Sequence, residues 1–111
     1  MSCVFCDIRD GKIPADIVYE DEDVLAFHDI SKAAKTHIVL IPKKHIPNIL
    51  DEAAPELMTS LTRAIQNIAQ KQSIEDAGFR VINNCGEGAG QTIMHLHLHI
   101  LSGPELTERI V

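Results

Sequence analysis

The chain has 111 residues, of which 45% are hydrophobic and 23% are charged, and its formal net charge at pH 7 is −6. This length and composition are typical of a soluble globular protein, so we predict one domain over residues 1–111. The acidic balance argues against a nucleic-acid polymer as partner, because polymer binders need a broad Lys/Arg face.

No apolar run approaches the roughly 18 residues of a membrane helix. The N-terminus "MSCVFCDIRDG" lacks the basic and hydrophobic regions of a secretion signal. We therefore expect a cytoplasmic protein that does not enter a membrane. Its three cysteines, an odd number, then indicate reduced thiols or metal ligands and not disulfides.

The first half of the chain predicts a short helix followed by three strands. The runs "DIVYED" and "VLAFHDI" are β-rich, and the acidic residues between them indicate the turn of a hairpin. "KTHIVLIPKK" follows with consecutive apolar residues, as in a central strand that is covered on both faces. Pro42 and Pro47 mark its end.

The second half begins with a long helix. From Pro55 to about Ser73 the apolar residues recur at intervals of three and four, the period of an amphipathic helix. "GFRVIN" predicts a fourth strand, and the glycine-containing loop "NCGEGAGQ" connects it to a fifth. The order predicts an α+β domain with a mainly antiparallel five-stranded sheet, one long helix and one short helix.

The fifth strand contains the segment "HLHLHIL", in which three histidines alternate with apolar residues. Alternate side chains of a strand point to opposite faces. We therefore expect an apolar face under the long helix, formed by Met94, Leu96, Leu98 and Ile100. The opposite face presents His95, His97 and His99, with successive pairs about 7 Å apart.

Three imidazoles on one strand face fit two kinds of chemistry. His-x-His can offer two ligands to a zinc ion. A neutral imidazole can also act as a nucleophile, and with an ordinary pKa of about 6.5 most of it is neutral at pH 7. The spacing alone does not decide between metal binding and catalysis.

The loop before the triad favours a phosphate ligand. Gly86, Gly88 and Gly90 permit conformations in which backbone N–H groups converge on an anion. Gln91 and Thr92 add side-chain donors. Because the loop precedes a strand and not a helix, it does not match the dinucleotide-binding fingerprint.

Three motifs, in order along the chain, together resemble the histidine triad (HIT) family of nucleotide hydrolases and transferases. They are "CVFCDIRDGKIPADIVYEDE", "VLAFHDISKAAKTHIVLIPKKHI" and "GQTIMHLHLHIL". The last matches the family signature His-φ-His-φ-His-φ-φ, where φ is apolar. The compact length resembles that of the Hint branch, whose members are nucleoside phosphoramidases.

The resemblance implies a set of catalytic residues. His97 matches the nucleophile that attacks the α-phosphorus of a nucleotide and becomes nucleotidylated. His99 and His37 match the imidazoles that flank this phosphate. Thr92 and Gln91 match donors to the phosphate oxygens or to the leaving group.

The resemblance also implies a nucleotide-binding pocket. Asp29 matches the carboxylate that binds the ribose hydroxyls, and Asn84 lies nearby on the loop. The wall of the base pocket is matched by Phe5, Ile8, Phe27 and Val39. Strand alternation agrees in part, since Phe27 and Asp29 fall on one face of their strand, as do His37 and Val39. His28 falls on the opposite face from Asp29 and is interpreted as structural.

The implied function is hydrolysis of purine nucleoside 5′-phosphoramidates, or related adenylated compounds, through a nucleotidyl-histidine intermediate on His97. An AMP-type purine nucleotide is then the small-molecule partner, and no organic cofactor is expected. Two alternatives stay open: a dinucleoside polyphosphate hydrolase, and a non-catalytic module that binds nucleotides or zinc. The family also implies a homodimer. The tail "LSGPELTERIV" lacks the aromatic and Pro-rich segment of many Hint proteins, so the leaving group stays open.

The cysteine pair in "CVFC" supplies half of a zinc site. No strand precedes it, so it does not match the redox pair of a thioredoxin-like unit. His45 and His95 are the candidates that would complete a Cys₂His₂ tetrahedron. Several relatives in the family with the same pair carry such a zinc. We therefore expect a structural zinc on Cys3, Cys6, His45 and His95, which leaves His97 and His99 for chemistry.

Overall fold

A computed structural model describes residues 3–110 of the chain. Its elements are helix α1 (Val4–Arg9), strands β1 (Ile17–Glu20), β2 (Val24–His28) and β3 (Thr36–Pro42), helix α2 (Ala54–Lys71), strand β4 (Arg80–Ile82), a 3₁₀ turn (Glu87–Ala89) and strand β5 (Leu98–Ser102). The order of helices and strands confirms the α+β prediction.

The five strands form an antiparallel sheet in the order β1-β2-β3-β5-β4. The triad strand β5 is internal, because Val39 of β3 lies opposite His99 on one side and Ile82 of β4 lies opposite it on the other. Neighbouring strands on both sides therefore fix the position of His99.

Helix α2 covers one face of the sheet. Its Leu61, Ala64 and Ile68 recur at intervals of three and four and are fully buried. They pack against apolar residues of β2, β3 and β5, which include Val24, Ala26, Ile38, Leu40, Leu98 and Ile100. Each fully buried Leu or Ile contributes about 1.5–3 kcal/mol by its removal from water.

Helix α1 covers part of the opposite face. At six residues it is too short to be stable alone, and it is held by packing. Phe5 lies in a second apolar cluster with Leu25, Phe27, Val39 and Ile41. Alternate residues of β3 therefore serve different clusters, with Ile38 and Leu40 under α2 and Val39 and Ile41 on the α1 side. This explains the consecutive apolar residues of that strand.

Strand β5 begins at Leu98, later than the alternation predicts, so His95 and His97 precede it. Leu96 is buried under α2 as predicted, but Met94 is 40% exposed, and its placement in the core was wrong. The reason is that the chain joins the sheet only after Leu96, whose N–H donates to the carbonyl of Ile46 at 2.7 Å. Among residues 3–110, none of the helices has the length and apolarity to span a bilayer.

Candidate active site

His97 is held in one tautomer by the backbone. Its ring is buried, and its Nδ1 lies 2.8 Å from the carbonyl oxygen of His95. A carbonyl only accepts, so Nδ1 carries the proton and donates. In the neutral ring Nε2 then holds a lone pair, and the ring lines the cavity described below. This is the state of imidazole that acts as a nucleophile.

His37 and His99 form a hydrogen-bonded pair beside His97. The N–H of Ala33 donates to His37 Nδ1 at 3.1 Å, so the proton of the neutral His37 ring is on Nε2. This Nε2–H donates to His99 Nδ1 at 2.9 Å, which places the proton of His99 on its own Nε2. The His99 ring lies 5.1 Å from that of His97, centroid to centroid, and offers a donor next to the lone pair.

Burial keeps this pair neutral. Burial lowers the pKa of His37, and the nearby Asp29 carboxylate opposes the effect. Burial also lowers the pKa of His99, and the neighbouring His97 and His37 lower it further. Both rings are therefore uncharged at pH 7, and the hydrogen bond between them keeps its direction.

A cavity of about 780 Å³ lies in front of these rings. The cavity is of the size that holds a small-molecule ligand. Its apolar wall has three parts, which are α1, the segment after α1, and the sheet. In that order they contribute Val4, Phe5 and Ile8, then Ile13, Pro14 and Ala15, and then Phe27 and Val39. Its polar lining is Asp16, His28, Asp29, Lys32, Thr92, His97 and His99. An apolar slot with a polar end suits a planar base joined to a sugar phosphate.

The structure brings together most of the residues that the sequence assigned to this pocket. Phe5, Ile8, Phe27, Val39, Asp29, Thr92, His97 and His99 all line the cavity. His37 does not line it; it lies behind His99 and acts through that ring. The family resemblance implies that His37 flanks the phosphate; in the structure its ring contacts His99 and not the cavity.

Gln91 has a different role from the one expected. It is 2% exposed, and its Nε2 donates to the carbonyls of Pro47 at 2.7 Å and Ile93 at 3.0 Å. Its Oε1 accepts from the N–H of Gly86 at 2.8 Å. Both amide hydrogens are used, so the expected donation from Gln91 to phosphate is not made here. Gln91 anchors the loop instead.

The glycine loop also differs from the expectation. Gly86 and Gly90 have φ values of 89° and 90°, which glycine adopts without strain. The N–H groups of residues 89, 90 and 91 donate to carbonyls within the loop, so these three donors are already used. Asn84 does not line the cavity; its neighbour Asn83 donates to the carbonyl of His97 at 3.0 Å. From the loop, Gly90 reaches the cavity, followed by Thr92.

Several residues line the cavity that the sequence did not lead us to expect there. His28 was interpreted as structural, yet it lines the cavity, with its Nε2 4.0 Å from Asp16 Oδ2. Strand β2 ends at His28, so the alternation that assigned His28 and Asp29 to opposite faces does not extend past it. Lys32 follows in the next turn and adds a positive charge to the lining. Ile13 and Pro14 lie within the first of the three family motifs, but no role was assigned to them there.

A second group of side chains, the Cys/His cluster, lies behind α1. It consists of Cys3, Cys6, His45 and His95, whose ligand atoms all lie within 4.8 Å of one another. Cys6 Sγ is 3.3 Å from His45 Nδ1, Cys3 Sγ is 3.4 Å from His95 Nδ1, and the two Nδ1 atoms are 3.1 Å apart. Ligands of a tetrahedral zinc at ordinary bond lengths are separated by about 3.3–3.8 Å.

The chemistry of the Cys/His cluster also fits a metal. His95 Nε2 donates to the carbonyl of Pro42 at 2.9 Å, which leaves the Nδ1 lone pair directed at the cysteines. Burial lowers the pKa of His95 to about 4 and so keeps the ring in the neutral, ligating form. Burial and the adjacent Cys3 raise the pKa of Cys6. Two thiols beside two imidazoles form the donor set that zinc prefers.

The fold and the site define a small α+β protein in which a buried imidazole, held in one tautomer, lines an apolar, ligand-sized cavity. The model of the HIT domain matches residues 10–106. The chain is 45% identical to "Protein hit" of Bacillus subtilis, over 90% of this chain and 70% of that protein. It is similar to the solved structure of a HIT family hydrolase from Clostridium thermocellum, with a TM-score of 0.93 and 40% identity over 99% of this chain and 97% of that one. A histidine triad protein from Clostridium difficile gives a TM-score of 0.92 and 41% identity over 98% and 96%. The chain belongs to the HIT family.

Proposed function

We propose that the protein hydrolyses purine nucleoside 5′-phosphoramidates, or related adenylated compounds, with His97 as nucleophile. The observation that carries this proposal is the His97 tautomer, which leaves Nε2 unprotonated on a ring that lines the cavity. The similarity to a structure described as a HIT family hydrolase supports a hydrolytic reaction.

The reaction proceeds in two displacements. His97 Nε2 forms a bond to the α-phosphorus, the phosphorus–nitrogen bond of the substrate breaks, and the amine leaves with a proton taken from solvent. Water then attacks the nucleotidyl-histidine, the bond to His97 breaks, and a nucleoside monophosphate is released while the proton lost by that water returns to solvent. The covalent intermediate divides one difficult step into two easier ones.

Surrounding groups stabilise the charges that develop. The positive ring formed by attack keeps its Nδ1–H on the carbonyl oxygen of His95, 2.8 Å away. The Nε2–H of His99 and the hydroxyl of Thr92 would donate to phosphoryl oxygens, and the position of both side chains in the cavity lining supports this. His37 holds the His99 tautomer and so maintains that donor.

The rest of the substrate fits the remainder of the cavity. Phe5, Ile8, Phe27 and Val39 would contact the base, and Asp29 would accept from the ribose hydroxyls. Lys32 supplies local positive charge for an anionic ligand, although the chain as a whole is acidic. An AMP-type nucleotide would offer a base to the apolar wall, a ribose to Asp29 and a phosphate to the positive charge of Lys32.

We also propose that Cys3, Cys6, His45 and His95 hold a structural zinc. The spacing of the donor atoms and the free Nδ1 of His95 support this. Zinc there would cross-link α1 to the segments that carry His45 and His95, and would take no part in the displacement at phosphorus. Free thiols fit the reducing cytoplasm, where we propose that the protein works.

A homodimer completes the proposal. Strand β4 is an edge of the sheet, and Phe79 and Val81 are exposed along it. An uncovered strand edge with apolar side chains is suited to pairing with a second copy. Sedimentation equilibrium of the chain tests this point.

The test of the activity is steady-state hydrolysis of a fluorogenic adenosine 5′-phosphoramidate by the native protein and by His97→Ala. We expect turnover that His97→Ala lowers by at least about a thousandfold. Gln66→Ala, on the exposed side of α2, is the control and keeps full activity. Faster turnover of a dinucleoside polyphosphate would favour the polyphosphate hydrolase instead. Tight AMP binding without turnover would favour a binding module.

A further inference from the structure

Helix α1 belongs to two sites at once. Cys3 caps the helix and Cys6 lies within it, and both are part of the Cys/His cluster. Val4, Phe5 and Ile8 of the same short helix line the cavity. The apolar wall assigned to the base is therefore built on the same segment that contributes two of the four donor atoms.

Phe5 is the direct link between these sites. Its ring is buried, with its centroid 5.0 Å from that of His97 and 5.7 Å from that of Phe27. The same ring lies 5.9 Å from the ring of His95 in the Cys/His cluster. A shift of α1 would thus move the wall of the cavity against the nucleophile.

Besides the Cys/His cluster, one hydrogen bond of Arg9 and the packing of Phe5 and Ile8 hold α1 in place. Arg9 Nη1 donates to the carbonyl of Lys43 at 2.6 Å, and Phe5 packs into its apolar cluster. Cys3 Sγ lies 3.4 Å from His95 Nδ1 and Cys6 Sγ lies 3.3 Å from His45 Nδ1, and hydrogen bonds of thiols to imidazoles are weak. Bonds from thiolate and imidazole to zinc are far stronger and couple binding to folding of the segment.

We infer that Cys3, Cys6 and His45 are positioning residues of the base pocket, so that zinc and the base of the nucleotide bind cooperatively. Zinc in the Cys/His cluster fixes α1, and the fixed α1 presents Phe5 to the base. The coupling is reciprocal: AMP raises the affinity for zinc by the same factor by which zinc raises the affinity for AMP. This inference rests on the proposed function, since it concerns the same pocket.

The experiment compares two ligands on the full chain, prepared metal-free and loaded with zinc. AMP has a base that reaches the α1 wall, whereas ribose 5-phosphate lacks it. Calorimetry should show that zinc strengthens AMP binding about tenfold and changes ribose 5-phosphate binding by less than about twofold. Zinc binding measured with a chromophoric chelator should strengthen about tenfold in the presence of saturating AMP.

Three variants sharpen the test. Cys6→Ser should weaken zinc binding and remove the effect of zinc on AMP, whereas Cys85→Ser, the matched change outside the Cys/His cluster, should leave both unchanged. Phe5→Ala keeps all four donor residues, so it should retain zinc binding. The factor by which zinc raises the affinity for AMP should fall close to one in this variant.

Four outcomes would overturn the inference. Equal AMP affinity with and without bound zinc would overturn it and leave the proposed function intact. Failure of the zinc-loaded chain to bind AMP would overturn both. Absence of zinc binding would contradict the metal site and the coupling. An equal gain for AMP and ribose 5-phosphate would mean that zinc stabilises the whole fold and not the base wall.

Discussion

The carbonyl oxygen of His95 lies 2.8 Å from His97 Nδ1, while the ring of the same His95 lies in the Cys/His cluster. One residue therefore fixes the tautomer of the proposed nucleophile with its backbone and offers a ligand atom with its side chain. Two histidines only two positions apart thus point into different sites. This separation allows metal binding and catalysis to coexist in one triad.

Asp29 should determine the preference for a ribose. Replacing it by Asn removes the charged acceptor, and we expect KM for an adenosine 5′-phosphoramidate to rise about tenfold, as for a lost hydrogen bond to a charged group. The 2′,3′-dideoxy analogue has no hydroxyls to donate, so its KM should not change. Steady-state kinetics on both substrates measure this. An equal rise for the two substrates would show that Asp29 supports His37 or the loop and does not bind the ribose.

Gln91 should matter for the stability of the loop. Gln91→Glu replaces an amide that donates to two carbonyls by a carboxylate that cannot, and we expect unfolding to become easier by about 1–3 kcal/mol. Gln66→Glu, at an exposed position of α2, is the matched control and should stay within about 0.5 kcal/mol. Urea unfolding measures both. Unchanged stability with a lower catalytic rate would instead support the direct phosphate contact that the family resemblance implies.

Leu61 tests the packing of α2 on the sheet. The side chain is fully buried, so Leu61→Ala should cost about 2–5 kcal/mol of unfolding free energy. Leu50→Ala makes the same chemical change at a side chain that is 82% exposed, and should change the free energy by less than about 0.5 kcal/mol. Similar losses in the two variants, measured by urea unfolding, would mean that the helix is placed wrongly.

The His37–His99 pair should make the fold less stable in acid. Burial lowers the pKa of both rings below 6.5, so the unfolded chain binds protons more readily than the folded one. The contribution of the pair is complete above the unfolded pKa and is lost as the pH falls through the folded pKa values. The Asp29 carboxylate and the ring of His97 are the other titratable groups against the pair.

The measurement for this pair is urea unfolding at about pH 8 and about pH 5 for the native chain and for a variant with His37→Asn and His99→Asn. The native chain should lose more stability on acidification than the double variant, because the variant lacks the two groups. Equal losses in both chains would show that other groups account for the pH dependence.

The sequence predicted the fold because its periods are clear. The spacing of Leu57, Leu61, Ile65 and Ile68 specified α2, and the consecutive apolar residues of β3 specified a strand between two clusters. The start of β5 was not predictable from alternation, because Met94 and His95 continue the pattern while the backbone has not yet joined the sheet. A hydrogen bond from Leu96 to the distant Ile46 determines that boundary.

The lining of the cavity was predicted where motif and strand geometry agree, as for Phe27, Val39 and His97. It was missed where the outcome depends on tertiary contacts. The side-chain amide of Gln91 donates to carbonyls, one of them 44 positions away in the sequence. His28 is the last residue of β2, and alternation does not reveal where a strand ends. The acceptor that fixes His97 is a backbone carbonyl, which has no sequence signature.

The most direct test of the account is a search for the covalent intermediate. The native chain is mixed with an adenosine 5′-phosphoramidate, quenched within the first turnover and analysed by mass spectrometry of its peptides. The account predicts an added adenylyl group on His97, absent in His97→Ala and more abundant in His99→Asn if water attack slows. Turnover without an adduct, or an adduct on His99 in the native chain, would contradict the assignment of His97 as the nucleophile.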